Sequence, residues 1–337
     1  MWLTRDDLPK GGGLLMVAPD GSCAAPVPPA GPTVAALRAA GIGAGDRVAV
    51  ALAEPYGSFW ATAAAETAGA AGAAASLGPR GRMRLHHALG TMGATALVCT
   101  PTGAMDLLAR LHLEFLLDPL DLGLRRIVLV GEIASRRTAR HLAGEFDATV
   151  TEVVASPFSG AALGWRQGED APITPVTDVG VAAPGKDAHL DGTGLAELVE
   201  ITPDDVLRTG LAAEVTAPGQ IPAPAHTVGE HVLIRGQWVS LRRLERALAK
   251  IDGVATWTLT VSRPGTLDTA VLNVGFARAS LIKNPMWQAR IRESMRAVTP
   301  VSIAVEVAEE VIETPLPGVV DDQRGHHLGR DRSAIGA

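Results

Sequence analysis

RIVLVGEIASRRTARHLAGEFDATVTEVV, residues 126–154, decides the fold. IVLVGE at 127–132 reads as a strand, SRRTARHLAGEF at 135–146 as a helix, and ATVTEVV at 148–154 as a second strand. A strand, a crossover helix and another strand predict parallel neighbours in one sheet. The same alternation extends upstream. RVAVAL at 47–52 is a buried strand and YGSFWATAAAETAGA after it a helix. AGAAAS at 71–76 is a short strand, RMRLHHALGTMG at 82–93 a helix, and ATALVCTP at 94–101 a strand stopped by Pro101. TGAMDLLARLHLEF then continues as a helix with Leu107, Leu108, Leu111 and Leu113 on and around one stripe.

Downstream the character changes. Residues 155–193 are rich in Gly, Pro and Ala and predict loops with short strands. GLAELVEI at 194–201 and DVLRTGLAAEVTA at 205–217 read as antiparallel strands. PGQIPAPAHTVG at 218–229, with three prolines and two glycines, is the linker candidate. Beyond it the pattern predicts a strand at 231–235, a helix at 239–250, strands at 255–262 and 268–276, a helix at 285–298 and a strand at 301–307. The expected architecture is α/β: a core over 1–224 with a mainly parallel sheet plus antiparallel strands, a hinge at 225–229, a small α+β domain over 230–325, and a polar tail at 326–337.

Composition narrows the function. The chain has 337 residues, 47% hydrophobic and 20% charged, with a net charge of −6. Its acidic residues are scattered, which argues against general nucleic-acid binding. Two cysteines, Cys23 and Cys99, supply neither a disulfide framework nor a cysteine zinc site, and a reducing, cytoplasmic setting is expected. No apolar run of about 18 residues predicts a membrane span, and MWLTRDDLPK does not read as a signal peptide. Arginine outnumbers lysine 26 to 4.

Several stretches, in order, resemble the phenylacetate–coenzyme A ligase family of adenylate-forming enzymes. LRAAGIGAGDRVAVAL at 37–52 is similar to the segment leading into that family's first core strand. GATALVCTPTGAMDLLARL at 93–111 matches its strand and helix, including the V-C-T-P turn. RIVLVGEIASRRTARHLAGEF at 126–146 resembles the segment whose Gly-Glu, here Gly131 and Glu132, lies beside the adenine. HVLIRGQWVSLRRLERALAKIDGV at 231–254 resembles the opening of the mobile C-terminal lid, with Arg235-Gly236 at its turn, and TRDDLPKGGGLLMVAP at 4–19 is a weaker match before the phosphate loop. The resemblance covers most of the chain, and no single motif in it decides the assignment. It implies an adenylate-forming-like core, truncated at its N-terminus, and a lid. It also implies ATP with magnesium and coenzyme A as ligands, a small aromatic or aliphatic carboxylic acid or its thioester as partner, and a homodimer or a pathway enzyme as further partner.

The departures fall on ATP handling. In place of a Ser/Thr/Gly phosphate loop, whose backbone N–H groups wrap phosphates, the chain reads DGSCAAPVPPAGP. Its Pro26, Pro28, Pro29 and Pro32 remove donors and stiffen the chain into an extended connector. The aromatic-Gly turn that ends in a magnesium-binding Glu is here Phe158-Ser159-Gly160-Ala161-Ala162; the aromatic could pack on a ring, while Ala162 supplies no metal ligand. After Arg208-Thr209-Gly210 the ribose-binding Asp is replaced by Leu211, and Glu214 is three residues on, facing the other side of a strand. The lid lysine is absent: the last lysine is Lys283, and among the later arginines Arg324, Arg330 and Arg332 are the candidates for a substitute charge. Glu230 is the candidate hinge acid.

The binding residues expected on this reading are Gly131, Glu132, Phe158, Ser159, Gly160, Arg235 and Gly236. Arg324 and Glu230 are the catalytic candidates, and no metal site is expected. Other constellations carry less. His86 and His87 are adjacent on a helix and point about 100° apart, His326-His327 sit in the solvated tail, GGG at 11–13 is no nucleotide fingerprint, Ser159 lacks a nucleophile elbow, and Cys99 reads as core. Three readings stay open: a homologue that binds an acyl or aryl group, or a partner, without adenylation; a divergent acid–coenzyme A ligase; and an ATP-independent acyltransferase acting on a preformed activated acyl group.

Overall fold

The computed structural model describes the chain apart from residues 9–11, 80–81, 136, 283 and 336–337; Lys283 and part of the 11–13 glycine run therefore lie outside the described residues. The parallel arrangement read from 126–154 is present. Strands Ala73–Ser76, Arg47–Ala51, Ala96–Cys99, Arg126–Val130 and Thr149–Ala155 run parallel, and Ala162–Arg166 and Thr174–Pro175 close one edge antiparallel. Both faces are covered. Val48, Val50, Val98, Val128 and Val130 pack with helices Gly31–Ala39 and Tyr56–Ala68, while Ala49, Leu97, Ile127 and Leu129 pack with Arg82–Met92, Pro101–Arg110 and Thr138–Phe146. Consecutive strand residues point to opposite faces, so a doubly covered strand is apolar at every position.

A second sheet places Gly194–Ile201 and Val206–Val215 antiparallel, as expected, with Val179–Ala182 on one flank and Trp2–Leu3 parallel on the other. The C-terminal unit, expected from the resemblance as a lid and called so below, contains a four-stranded sheet, Ala304–Val307, Thr269–Phe276, Val254–Ser262 and Val319–Asp322 in order. Helices Leu241–Leu248 and Pro285–Val298 pack Leu241, Leu244, Leu248, Ile291 and Met295 against its Leu259, Val261, Leu272 and Val274. No helix among the described residues is long and apolar enough to cross a membrane.

Three local expectations are corrected, and one further strand is found. Pro32 does not extend the chain: it sits in the first turn of helix Gly31–Ala39, where a missing N–H costs nothing. Val239 and Ser240, expected to open a helix, instead end Gln237–Ser240, the return strand of a hairpin with His231–Ile234, and the helix begins only after Ser240 caps it. Part of the 313–325 segment is a strand, Val319–Asp322, running parallel to Val254–Ser262. Residues 326–335 are not a solvated tail but pack back on the hinge and the core through the bonds given below.

Candidate functional site

The parallel strands end on one side of the sheet, and a cavity of about 300 Å³ opens there. This is where ligands of open α/β sheets bind, outside the carboxyl ends of the strands. Ala51 and Leu52 follow the first core strand, Cys99 and Thr100 the third, Val130, Gly131 and Glu132 the fourth, and Val154 through Pro157 the fifth. The opposite wall is the lid, through Leu233, Arg235–Trp238 and Leu267. Most of the lining is apolar, including Trp60, Leu107, Val153 and Leu211.

The V-C-T-P turn sets one corner. Thr100 caps helix Pro101–Arg110 by accepting from the Gly103 N–H at 3.1 Å, with Pro101 at the first helical position. Glu132 completes this end: its carboxylate accepts from the Thr102 N–H at 2.9 Å and the Thr102 hydroxyl at 2.8 Å. A carboxylate at a helix N-terminus is electrostatically favoured. Burial nevertheless lifts the Glu132 carboxyl above its usual range; the Thr102 bonds offset this only in part, and the nearby Asp268 charge adds to it.

The lid enters as a two-residue hairpin. Ile234 pairs with Gln237, leaving Arg235 (φ 51°) and Gly236 (φ 69°) as the turn. Positive φ at both central residues is the type I′ pattern that matches strand twist. The glycine also makes room, since a Cβ on residue 236 would lie 2.9 Å from Thr100 Cγ2 of the core. Arg235 is fixed by its backbone N–H to Asp268 Oδ2 and by Nε to the Asp268 carbonyl at 2.6 Å.

Asp268 is the hub behind this turn. It is 1% exposed and also accepts from Arg263 Nε at 2.7 Å and Arg324 Nη1 at 2.6 Å. Arg324 is further bonded to Asp322 and to the Leu233 carbonyl. Burial would raise the Asp322 carboxyl, but the Arg324 guanidinium and the Arg324 and His327 N–H groups outweigh it and hold it below the usual range.

The expected site residues therefore divide. Gly131, Glu132, Gly160, Arg235 and Gly236 line the cavity together. Phe158 does not; it is 2% exposed within the interior, and Ser156, Pro157 and Gly160 form the wall at that turn. Ser159 is likewise buried and outside the lining, with its N–H bonded to Ser156 Oγ. Arg324, Arg330 and Arg332 are all held in ion pairs away from the cavity: with Asp268 and Asp322, with Glu230 and Glu245, and with Glu197. Glu230 is thus an ion-pair partner of Arg330 at 2.8 Å and does not line the cavity. Glu214 is exposed while Leu211 lines the cavity, and Ala162 is fully buried. In the 18–27 segment the Ala18 and Val27 N–H groups bond within the hairpin Leu15–Val17/Ala24–Pro26, Gly21 donates to Ala18, and Ser22 donates to Asp20; no residue of 12–33 lines the cavity.

Among the lining residues that were not site candidates from sequence, Tyr56 and Glu152 carry polar groups. Tyr56, the only tyrosine of the chain, has its hydroxyl shielded from solvent and without a hydrogen-bond partner among the described residues. Burial pushes it up to about 12, so it is a neutral donor near pH 7. Its ring packs over Gly160, where a Cβ would come within 2.3 Å of it. The signal was available in retrospect: a lone tyrosine opening the helix after the first core strand, at the ligand-binding end of the sheet. Glu152 also lines the cavity, paired with Arg166 at 2.5 Å.

No family profile matches the chain, and no curated protein does. Solved structures do match, across nearly its whole length. The chain has the fold of the acyl-coenzyme A ligases. It superposes on 2-hydroxyisobutyryl-CoA ligase, solved with 2-HIB-AMP and CoA in the thioesterification state, with a TM-score of 0.67 at 18% identity, covering 89% of this chain and 71% of that one. Amide bond synthetase McbA from Marinactinospora thermotolerans gives 0.64 at 15%, covering 89% and 66%. Malonyl-CoA ligase with methylmalonyl-CoA and AMP gives 0.60 at 16%, covering 86% and 68%. The mixed α/β fold expected from sequence, with its parallel and antiparallel sheets, is thereby borne out.

Proposed function

We propose that this chain binds a small carboxylic acid, or the acyl part of its coenzyme A thioester, between core and lid without forming an acyl-adenylate. One observation carries the reading: Arg263 and Arg324 are committed to the buried Asp268, and Arg235, which lines the cavity, is held by its backbone N–H on the same carboxylate and by its Nε on the Asp268 carbonyl. Stabilising an adenylate and its transition state needs an uncommitted cation aimed at the growing charge. The self-bonded hairpin at 15–26 and the apolar Leu211 and Ala162 agree with this, as does the resemblance to phenylacetate–coenzyme A ligases with four ATP elements replaced. The apolar lining would bury an aryl or alkyl group, and Tyr56 would donate to a carboxylate or carbonyl oxygen. A cytoplasmic setting fits two free, buried cysteines.

A transferase acting on a preformed thioester is the second reading. It is favoured by the seating of the Arg235-Gly236 turn against the cavity and by the likeness to a ligase solved in its thioesterification state. The test is pyrophosphate exchange with labelled ATP over a panel of aryl and alkyl acids, with calorimetry against ATP–magnesium and against acyl thioesters. The expected result is no exchange and no ATP binding, with binding of an acid or thioester that Tyr56→Phe weakens. Exchange above background with any acid overturns the proposal and establishes a ligase; transfer of the acyl group to an added nucleophile selects the transferase.

A further inference from the structure

The hinge of this molecule is not a free linker. Residues 226–229 are laddered to residues 326–329: the Thr227 N–H donates to the His326 carbonyl at 2.7 Å, the Leu328 N–H to the Thr227 carbonyl at 3.0 Å, and the Gly229 N–H to the Gly329 carbonyl at 2.8 Å. The Thr227 hydroxyl and His327 Nδ1 lie 3.1 Å apart across the same ladder. Immediately beyond, Arg330 bridges Glu230 at the start of the lid and Glu245 on the lid helix, at 2.8 and 2.6 Å. Two residues further, Arg332 leaves the lid altogether and pairs with core residue Glu197 at 3.2 Å.

The core is shaped to receive this segment. Glu197 is fully buried and also holds Arg208 at 2.8 Å and the Gly210 N–H at 2.9 Å, so Arg332 joins a fixed network rather than a surface charge. Two glycines clear its path. A Cβ at hinge residue Gly229 would fall 2.6 Å from the Arg332 guanidinium carbon, and one at Gly185 of the core would fall 2.6 Å from the Ser333 Cα. At Gly185 the close neighbour is backbone, so any side chain there would displace the segment.

We propose that residues 326–335 act as a strap that crosses the hinge and holds the lid in one orientation over the cavity. A swing of the lid moves residues 230–325 relative to Glu197, and the strap is bonded to both sides. Rotation therefore requires the three backbone hydrogen bonds and the Arg332–Glu197 pair to break together, while hinge bending alone would require neither. Other contacts between the two units oppose the same motion: Arg243 of the lid helix donates to the Asp20 carbonyl, the Thr266 hydroxyl donates to Asp106 at 2.9 Å, and Arg242 and His231 lie 3.3 and 3.7 Å from Asp6. The strap differs from them in crossing the hinge itself. This claim is independent of whether adenylation has been lost, because a locked lid is compatible with binding, transfer or ligation.

The test measures lid orientation directly. Glu66→Cys on the core and Glu310→Cys on the lid place exposed labelling sites on the two sides; Cys23 and Cys99 are buried. Spin labels at these positions report the interdomain distance distribution in the full chain. A single narrow distribution is expected. Arg332→Ala and, separately, Gly185→Val should each broaden it or add a second population, while Arg332→Lys should keep a larger share of the original distance than Arg332→Ala. A broad or double distribution in the otherwise unchanged labelled protein overturns the proposal even if every strap variant fails to fold. An unaltered narrow distribution in folded Arg332→Ala and Gly185→Val overturns it as well.

Discussion

Strand Arg126–Val130 in the core and strand Val254–Ser262 in the lid are built on opposite rules. In the first, Ile127, Val128, Leu129 and Val130 are all buried; in the second, burial alternates residue by residue along the strand. The difference lies in what covers each sheet. Helices pack on both faces of the core sheet, whereas the lid helices pack on one face only. The core therefore specifies strand identity by hydrophobicity but register only weakly by pattern. The lid specifies register strongly, because a slip of one residue would turn its whole apolar set outward.

Neighbouring substitutions give the sharpest break of this comparison. In the core, Leu129→Ala should cost about 2–5 kcal/mol and Val128→Ala on the opposite face on the order of 2 kcal/mol, so both neighbours matter. In the lid, Leu259→Ala should cost about 2–5 kcal/mol while its neighbour Thr258→Ala stays within about 0.5 kcal/mol. Urea denaturation of the four variants measures this. Equal losses at 258 and 259 would mean that the second lid face is also covered.

Acid should separate the regions next. Burial lowers His326 and His327 to about 4 and His231 to about 3, with the Arg324 charge second for His326 and the Arg5 charge second for His231. The folded protein thus prefers these rings neutral and the unfolded chain binds the extra protons. Their contribution is complete above about pH 6.5 and is lost as pH falls from there toward 4, by up to about 1.4 kcal/mol per histidine for each pH unit. Hydrogen exchange at pH 7 and pH 4.5 should show protection falling first at the hinge and strap, with Arg126–Val130 still protected. Simultaneous loss in both regions would contradict the assignment. The smallest effect is expected at their border: Gly236→Ala should cost about 1 kcal/mol through its positive φ and its approach to Thr100, detectable as a lower thermal midpoint.

What could be read from the sequence follows the same divide. Strands and helices of the core were legible because apolar runs and glycine or proline stops mark them, and helix Pro285–Val298 matched its expected limits. The hairpin strand Gln237–Ser240 was not legible: QWVS runs straight into an amphipathic helix, and nothing local separates four strand residues from the helix they precede. Its turn was legible, because Arg235-Gly236 stood out between the strand and the helix and does form the turn. Gly131 and Glu132 were expected at the site only from the resemblance of residues 126–146 to a ligase segment, and both line the cavity. Phe158 was misplaced because an aromatic beside glycine looks the same whether it faces a ligand or the core. The arginines of the C-terminal segment looked like free cations, and only their partners, up to 135 positions away, show them to be committed.

Glu197 has one more consequence. Arg208, which it anchors, lies 5.0 Å beneath the ring of Trp2, and Arg332 reaches the same carboxylate from the far end of the described chain. Two stretches far apart in the sequence thus arrive at the two flanks of a single buried acid. Loss of that one carboxylate would remove the partner shared by Arg208 and Arg332, loosening the setting of the N-terminal strand and the strap in a single step.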